Sequence, residues 1–245
     1  MKIIIEPNYE AISARAAADL LAMISKKESP LLCTASGDSP KGIYRHLAQK
    51  IKQENIDISK WKFVGLDEWM GMNASVEGSC RFHLDRDLFG PLGVKESSIC
   101  FFDGKATDPK QEARRTDQFI EAHGGIEVAI VGLGMNGHVG MNEPGTDPDL
   151  HSHIAEIDPL TASVGQKYFT QKTTLSHGLT LGIASLLEAR QVFLVVSGEK
   201  KAAMVRQVIE GPVSPEIPAS LLRRHSNFFI YLDQPASGLI QPTDL

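Results

Sequence analysis

Short apolar runs recur along the chain, each separated from the next by a longer stretch of helical periodicity, and this alternation constrains the fold more than any other feature. The runs are Ile3 to Ile5, Leu31 to Thr34, Phe63 to Leu66, Val128 to Val131, Val192 to Val196 and Phe228 to Leu232, and they read as buried strands. Between them Glu10 to Lys26, Pro40 to Gln53, Pro109 to His123 and Glu199 to Glu210 carry helical patterns, with Pro40 and Pro109 near helix starts. Strands alternating with helices predict an α/β fold: a mostly parallel sheet, covered by helices on both faces.

At 245 residues, against a prior of roughly 100–200 residues per domain, and with no linker, repeat or low-complexity tract, the chain reads as one domain, 1–245. A net charge of -5 with scattered Lys and Arg offers no phosphate-backbone footprint, so nucleic acid is not an expected partner. No run reaches the roughly 18 apolar residues that span a bilayer, and Met1 to Glu6 lacks a signal-peptide pattern. A cytoplasmic protein without a membrane partner is expected. Cys33, Cys80 and Cys100 are odd in number and far apart, which suits buried free thiols rather than disulfides or zinc.

In such folds ligands lie beyond the carboxyl ends of the strands, which directs attention to four loops. The first, Ala35-Ser36-Gly37-Asp38-Ser39-Pro40-Lys41-Gly42, is small and hydroxyl-bearing and leads into a helix. Its backbone N–H groups and the helix dipole suit a phosphate; equally, Ser39 could cap a helix with Pro40 at its first position. Asp38 would repel a phosphate, so it must point away or pair with a cation.

The second loop, Asp67-Glu68-Trp69-Met70-Gly71, places adjacent acids at a strand exit. Side chains alternate there, so one carboxylate can face the cleft for proton abstraction while the other engages structure. An acidic turn is the plainer reading.

The third, Gly132-Leu133-Gly134-Met135-Asn136-Gly137-His138-Val139-Gly140-Met141-Asn142-Glu143-Pro144-Gly145, opens as a G-x-G-x-x-G fingerprint, with Asp158 about twenty residues on. A dinucleotide site needs a helix directly after the third glycine, and Gly140, Pro144, Gly145 and Pro148 break any useful helix before His153. No nucleotide cofactor is expected. His138 instead stands in a glycine-dense loop with Glu143 five residues on and Asn136 and Asn142 nearby, the arrangement of an imidazole oriented by a carboxylate for acid/base work. A packed or surface histidine is the alternative.

The fourth, Ser197-Gly198-Glu199-Lys200-Lys201-Ala202, opens a helix with consecutive lysines, which the dipole disfavours unless an anion is near; an exposed basic turn is the alternative. His151 and His153 share a strand face but lack a third ligand, so no metal is expected.

These four loops, in this order, resemble the glucosamine-6-phosphate deaminase family, which includes galactosamine-6-phosphate deaminase/isomerase and is distantly related to 6-phosphogluconolactonase. The likeness spans nearly the whole chain and is strongest over Gly132 to Gly145. Asp67-Glu68 resembles the family's acidic pair, Leu179-Thr180-Leu181-Gly182-Ile183 its late strand, and Pro218-Ala219-Ser220 with His225 its C-terminal segment.

The resemblance implies a Rossmann-like sandwich and a cofactor-free deaminating aldose–ketose isomerase, a hydrolase acting on an amino-sugar phosphate. It assigns Asp67 as the enolisation base, His138 as the ring-opening acid/base and Glu143 as its orienting partner. Ser36, Gly37, Ser39 and Lys201 become phosphate contacts.

Several positions depart from the family pattern. Asn136 replaces a common Asp; it can orient His138 but not stabilise an imidazolium by charge. Asp38 replaces a small residue. Lys167 stands where many members bind substrate through an Arg, so a bidentate contact is lost. His151 and His153 stand where regulated members carry arginines for an activator, which argues against that regulation.

Asp67-Glu68-Trp69, the run near Gly78-Ser79-Cys80, and Pro218-Ala219-Ser220 with His225-Ser226-Asn227-Phe228 lean toward the galactosamine branch. The expected partner is a sugar phosphate, bound by a monomer or a homo-oligomer. A lactonase of the related type, a non-catalytic sugar-phosphate sensor and an NAD enzyme are the rival readings.

Overall fold

A computed structural model describes residues 1–241; the expected domain's last four residues, 242–245, lie outside the described residues. The apolar runs form strands at nearly the expected bounds: β1 (Lys2–Glu6), β2 (Leu31–Thr34), β3 (Lys62–Gly65), β6 (Val128–Gly132), β9 (Val192–Val196) and β10 (Phe228–Asp233), joined at one edge by the two-residue β5 (Ile99–Cys100). All pair in parallel, in the order β1-β10-β9-β6-β2-β3-β5.

Alternation along each strand feeds two cores. On β9, Val192, Leu194 and Val196 face one and Phe193 and Val195 the other. The second face is covered by α1 (Tyr9–Ile24) and α2 (Asp38–Gln53), through Leu20, Ile24, Ile43 and Leu47. The first is covered by helices that follow in the chain. Beyond α3 (Cys80–Leu84) and α4 (Gly90–Leu92) come α5 (Pro109–Ala122), α6 (Pro159–Gly165), α7 (Ile183–Leu187), α8 (Ala202–Glu210), α9 (Pro218–Leu221) and α10 (Gln234–Ser237), of which α5 and α7 to α10 contribute to that core. The expected Rossmann-like α/β sandwich, with a mostly parallel sheet covered on both faces, is the observed fold.

From β2 the chain steps outward through β3 and β5 on one side; β6, β9 and β10 step outward on the other. The reversal opens a crevice between the carboxyl ends of β2 and β6, where this architecture binds ligands.

One layer was not foreseen. After β3 the chain leaves the parallel sheet at Leu66 and enters a small antiparallel sheet in which β4 (Asp67–Trp69) pairs with β8 (His177–Thr180), and β8 with β7 (His153–Glu156). The expected late strand beginning at Leu179 instead ends at Thr180, because Gly182 and Ile183 already belong to the start of α7.

The start of α2 is also corrected. Gly37, with φ 108°, is its N-cap, so the helix begins at Asp38 and Ser39 caps nothing; that backbone region suits glycine. No helix is present from 133 to 158, so the glycine-rich loop lacks the element a dinucleotide fingerprint needs. Cys33, Cys80 and Cys100 are buried free thiols. Among the described residues no helix is long and apolar enough to cross a membrane.

Candidate active site

At the crevice lies a cavity of about 420 Å³. Ser36, Gly37, Ser39, Asp67, His138, Lys167 and Lys201 line it. Asn136 and Glu143 stand behind His138, so all nine expected positions gather in one place. Asp67 and His138 open onto the same space, not onto separate clefts.

The acidic pair divides as strand alternation demands. Asp67 faces the cavity, where burial pushes its carboxyl up to about 6, against a hydrogen bond from Cys80 and the charge of His138. Glu68 turns inward. Its Oε1 accepts from the backbone N–H of Trp69 and of Cys80, both at 2.9 Å, and its Oε2 accepts from that of Arg81 at 3.0 Å. Burial pushes Glu68 up to about 7, partly offset by those N–H groups. It is the clamp that joins β4 to the start of α3.

His138 lies flat over Gly134, where an added Cβ would stand 2.4 Å from the ring; any side chain there would displace the imidazole. Its Nδ1 is 3.4 Å from Glu143 Oε2, which also accepts from Asn136 Nδ2 at 2.8 Å. The His138 backbone N–H donates to Asn136 Oδ1 at 3.3 Å. Burial raises the Glu143 carboxyl, but His138, Asn136 and Thr161 together outweigh that and hold it below the ordinary carboxylate range.

Thr180 joins the two halves of this centre. Its Oγ1 accepts from the Met141 N–H at 3.1 Å, in the His138 loop, while its backbone pairs with Asp67 across β4 and β8.

At the other end, the first turn of α2 has no side-chain cap, leaving N–H groups and the dipole directed at the cavity. Lys201 donates to the Leu133 carbonyl at 2.6 Å; burial, then the charge of Lys167, lowers its ammonium to about 8. Asp38 does pair with a cation: Lys167 Nζ donates to its Oδ2 at 2.6 Å. Two departures from the family pattern thus answer one another.

Some lining groups escaped the sequence. His83 is held toward its neutral form by burial and by Arg86, and its ring packs edge-on against Tyr168 at 5.3 Å. Tyr168 stands over Gly37, its hydroxyl 3.3 Å from where a Cβ there would lie. Thr161, from α6, reaches His138 with Oγ1 3.0 Å from Nδ1. The groups that His83, Tyr168 and Thr161 pack against in the cavity lie far off in the sequence, and no local pattern marks them. His151 is remote, on Glu188 at 3.0 Å. Among the described residues no group of three or more His, Cys, Asp or Glu is placed to hold a metal ion.

A parallel sheet whose switch point holds a carboxylate, an oriented imidazole and an uncapped helix start defines a Rossmann-like protein built to take a small anionic molecule and move protons on it. The family described as glucosamine-6-phosphate isomerases/6-phosphogluconolactonase matches residues 7–230, and the chain belongs to that family. It is 32% identical over 245 residues to a glucosamine-6-phosphate deaminase of Clostridium botulinum (strain Eklund 17B / Type B), covering 100% of this chain and 98% of the relative. It is 36% identical over 229 residues to the AgaI protein of Escherichia coli (strain K12), covering 92% and 89%. Among solved structures, a monomeric glucosamine-6-phosphate deaminase superposes with a TM-score of 0.94 at 32% identity, over 98% of this chain and 100% of that one. The 6-phosphogluconolactonase of Trypanosoma brucei, at 18% identity and a TM-score of 0.75 over 98% of each chain, shares the fold.

Proposed function

We propose that the chain, as one domain over 1–245, is an amino-sugar 6-phosphate deaminase/isomerase that converts galactosamine 6-phosphate, or glucosamine 6-phosphate, into the ketohexose 6-phosphate and ammonia. The observation that carries this reading is the opening of Asp67, His138 and the 36–39 loop onto one cavity.

The phosphate, with about -1.5 to -2 charges, is held by Ser36, Gly37, Ser39 and Lys201, with Lys167 within reach. His138, oriented by Glu143 and Asn136, moves a proton from the anomeric hydroxyl to the ring oxygen, and the ring opens. Asp67 takes the C2 proton, the double bond shifts from C1 to C2, and the proton returns to C1. The resulting C2 imine adds water and releases ammonia, leaving the ketone. No net oxidation occurs, so the scheme uses neither nicotinamide nor metal. A phosphorylated substrate, kept inside the cell by its charge, suits a cytoplasmic enzyme acting as a monomer or a homo-oligomer.

The galactosamine preference is supported by Trp69, Gly78 and Cys80, three residues of the segments that lean to that branch, which all line the cavity. The substrates differ only in the configuration at C4, which one hydrogen bond can read.

A coupled ammonia assay with both amino sugars, run beside 6-phosphogluconolactone hydrolysis, tests the reading. Ammonia release, faster from galactosamine 6-phosphate, is expected. Lactone hydrolysis without ammonia would make the protein a lactonase, and binding without turnover a sensor. Asp67→Asn should abolish deamination while sparing substrate binding, and substantial residual turnover would remove Asp67 from its role.

A further inference from the structure

Thr161 is the third residue of α6 and is buried at 8% exposure. The helix does not need its hydroxyl: Asp158 is the N-cap, accepting from the Leu160 N–H at 2.7 Å, and Pro159 fills the first position. The threonine oxygen instead stands 3.0 Å from His138 Nδ1, closer than the 3.4 Å to Glu143 Oε2.

One proton arrangement satisfies this cluster. Glu143 is held toward its ionised form and can only accept. Its Oε2 lies 3.4 Å from Nδ1, where it would repel a bare ring lone pair, and the threonine oxygen at 3.0 Å can accept from a hydrogen on that nitrogen. His138 must then carry its hydrogen on Nδ1, shared between Thr161 Oγ1 and Glu143. Nε2 is left bare for the substrate. Without the threonine, the only acceptor for Nδ1–H among the described residues lies at 3.4 Å, beyond the usual N–H···O range of 2.7–3.2 Å, and the ring loses its fixed orientation and tautomer.

We infer that Thr161 is a positioning residue for the acid/base step: its hydroxyl, carried in by α6, holds His138 in the Nδ1–H form with Nε2 directed at the substrate. The inference rests on the role proposed for His138. The same segment carries Lys167, paired with Asp38 at the start of α2, so the piece that roofs the cavity ties the imidazole to the anion loop.

The test compares Thr161→Val and Thr161→Ser by steady-state kinetics and by nitrogen-15 NMR of the His138 ring, assigned through a His138→Gln spectrum. For Thr161→Val, kcat should fall about ten-fold, within the contribution expected of an acid/base group, with KM changed less than about two-fold and the Nε2–H tautomer newly populated. Thr161→Ser, which keeps the hydroxyl, should restore both kcat and the tautomer. A merely structural threonine would lower the melting temperature yet leave kcat and the ring spectrum unchanged, and that outcome overturns the inference. Should Thr161→Val fail to fold, Thr161→Ala, favourable in a helix, carries the same comparison. The ring spectrum needs no turnover, so it decides the matter even if no ammonia is released from either amino sugar.

Discussion

Lys201 is a half-buried cation whose one hydrogen-bond acceptor among the described residues is a backbone carbonyl, and its ammonium, lowered to about 8 by burial and by Lys167, is poised to respond to an anion. A dianion in the cavity favours the charged form, so near pH 8 anion binding should draw a proton from solvent. Calorimetry with inorganic phosphate in buffers of different ionisation enthalpy will register up to one proton taken up, and a buffer-independent enthalpy would place Lys201 outside the anion's field. Asp67 behaves oppositely. Its carboxyl lies at about 6 because burial penalises the charge, so it is ionised above that value and neutral below it. In the proposed reaction kcat/KM should fall as pH drops through about 6, and Asp67→Asn should remove that limb along with the activity. Asp67 and His138 were legible as candidates because each lies in a segment that follows an apolar run, and Glu143 because it stands five residues beyond the histidine. The cation that Asp38 demanded lies 129 residues away, and Thr161 lies 23 residues from its histidine. Pairings at such distances leave no local mark.

Most of the six parallel strands announced themselves because both of their faces are buried, as on β2 and β9, which makes their sequences almost wholly apolar. The antiparallel layer stayed hidden for the converse reason: β4, β7 and β8 are three or four residues long, and polar positions such as Asp67, His153 and His177 interrupt them. The clamp on β4 is nonetheless specific. Glu68 accepts from three backbone N–H groups. A glutamine would present an amine to at least one of them, so Glu68→Gln should cost about 1–3 kcal/mol. The sign of its pH dependence follows from the carboxyl, which lies at about 7 in the folded chain against 4.5 as an ordinary Glu. The folded state therefore binds the proton more tightly, and the stability Glu68 contributes is full below 4.5 and lost as pH rises through about 7. Glutamine does not titrate, so the gap between wild type and variant should narrow over that interval. Urea melts at a series of pH values will measure it, and a gap that widens instead would contradict the burial argument.

Across the molecule, stability and adaptability are divided between layers. β2, β6 and β9 have neighbours on both sides and cores on both faces, whereas the roof, residues 159–169, combines a short helix with an exposed ion pair, worth on the order of 0–1 kcal/mol. Hydrogen exchange should show the central strands opening only with global unfolding and the roof opening far more readily. Inorganic phosphate should slow exchange in the roof selectively. Equal protection in the two regions would contradict the division. Thr180 belongs to the rigid part: one hydroxyl on β8 holds the histidine loop while its own backbone holds the strand of Asp67. The gap between Asp67 and His138, the proton carriers of the proposed reaction, is thereby set from inside the frame, like the jaws of a fixed gauge, while the groups proposed to grip a ligand's tail hang from separate segments around it. Such a construction lets ancestry or an engineer recut the grip for another sugar without disturbing the spacing on which proton transfer depends.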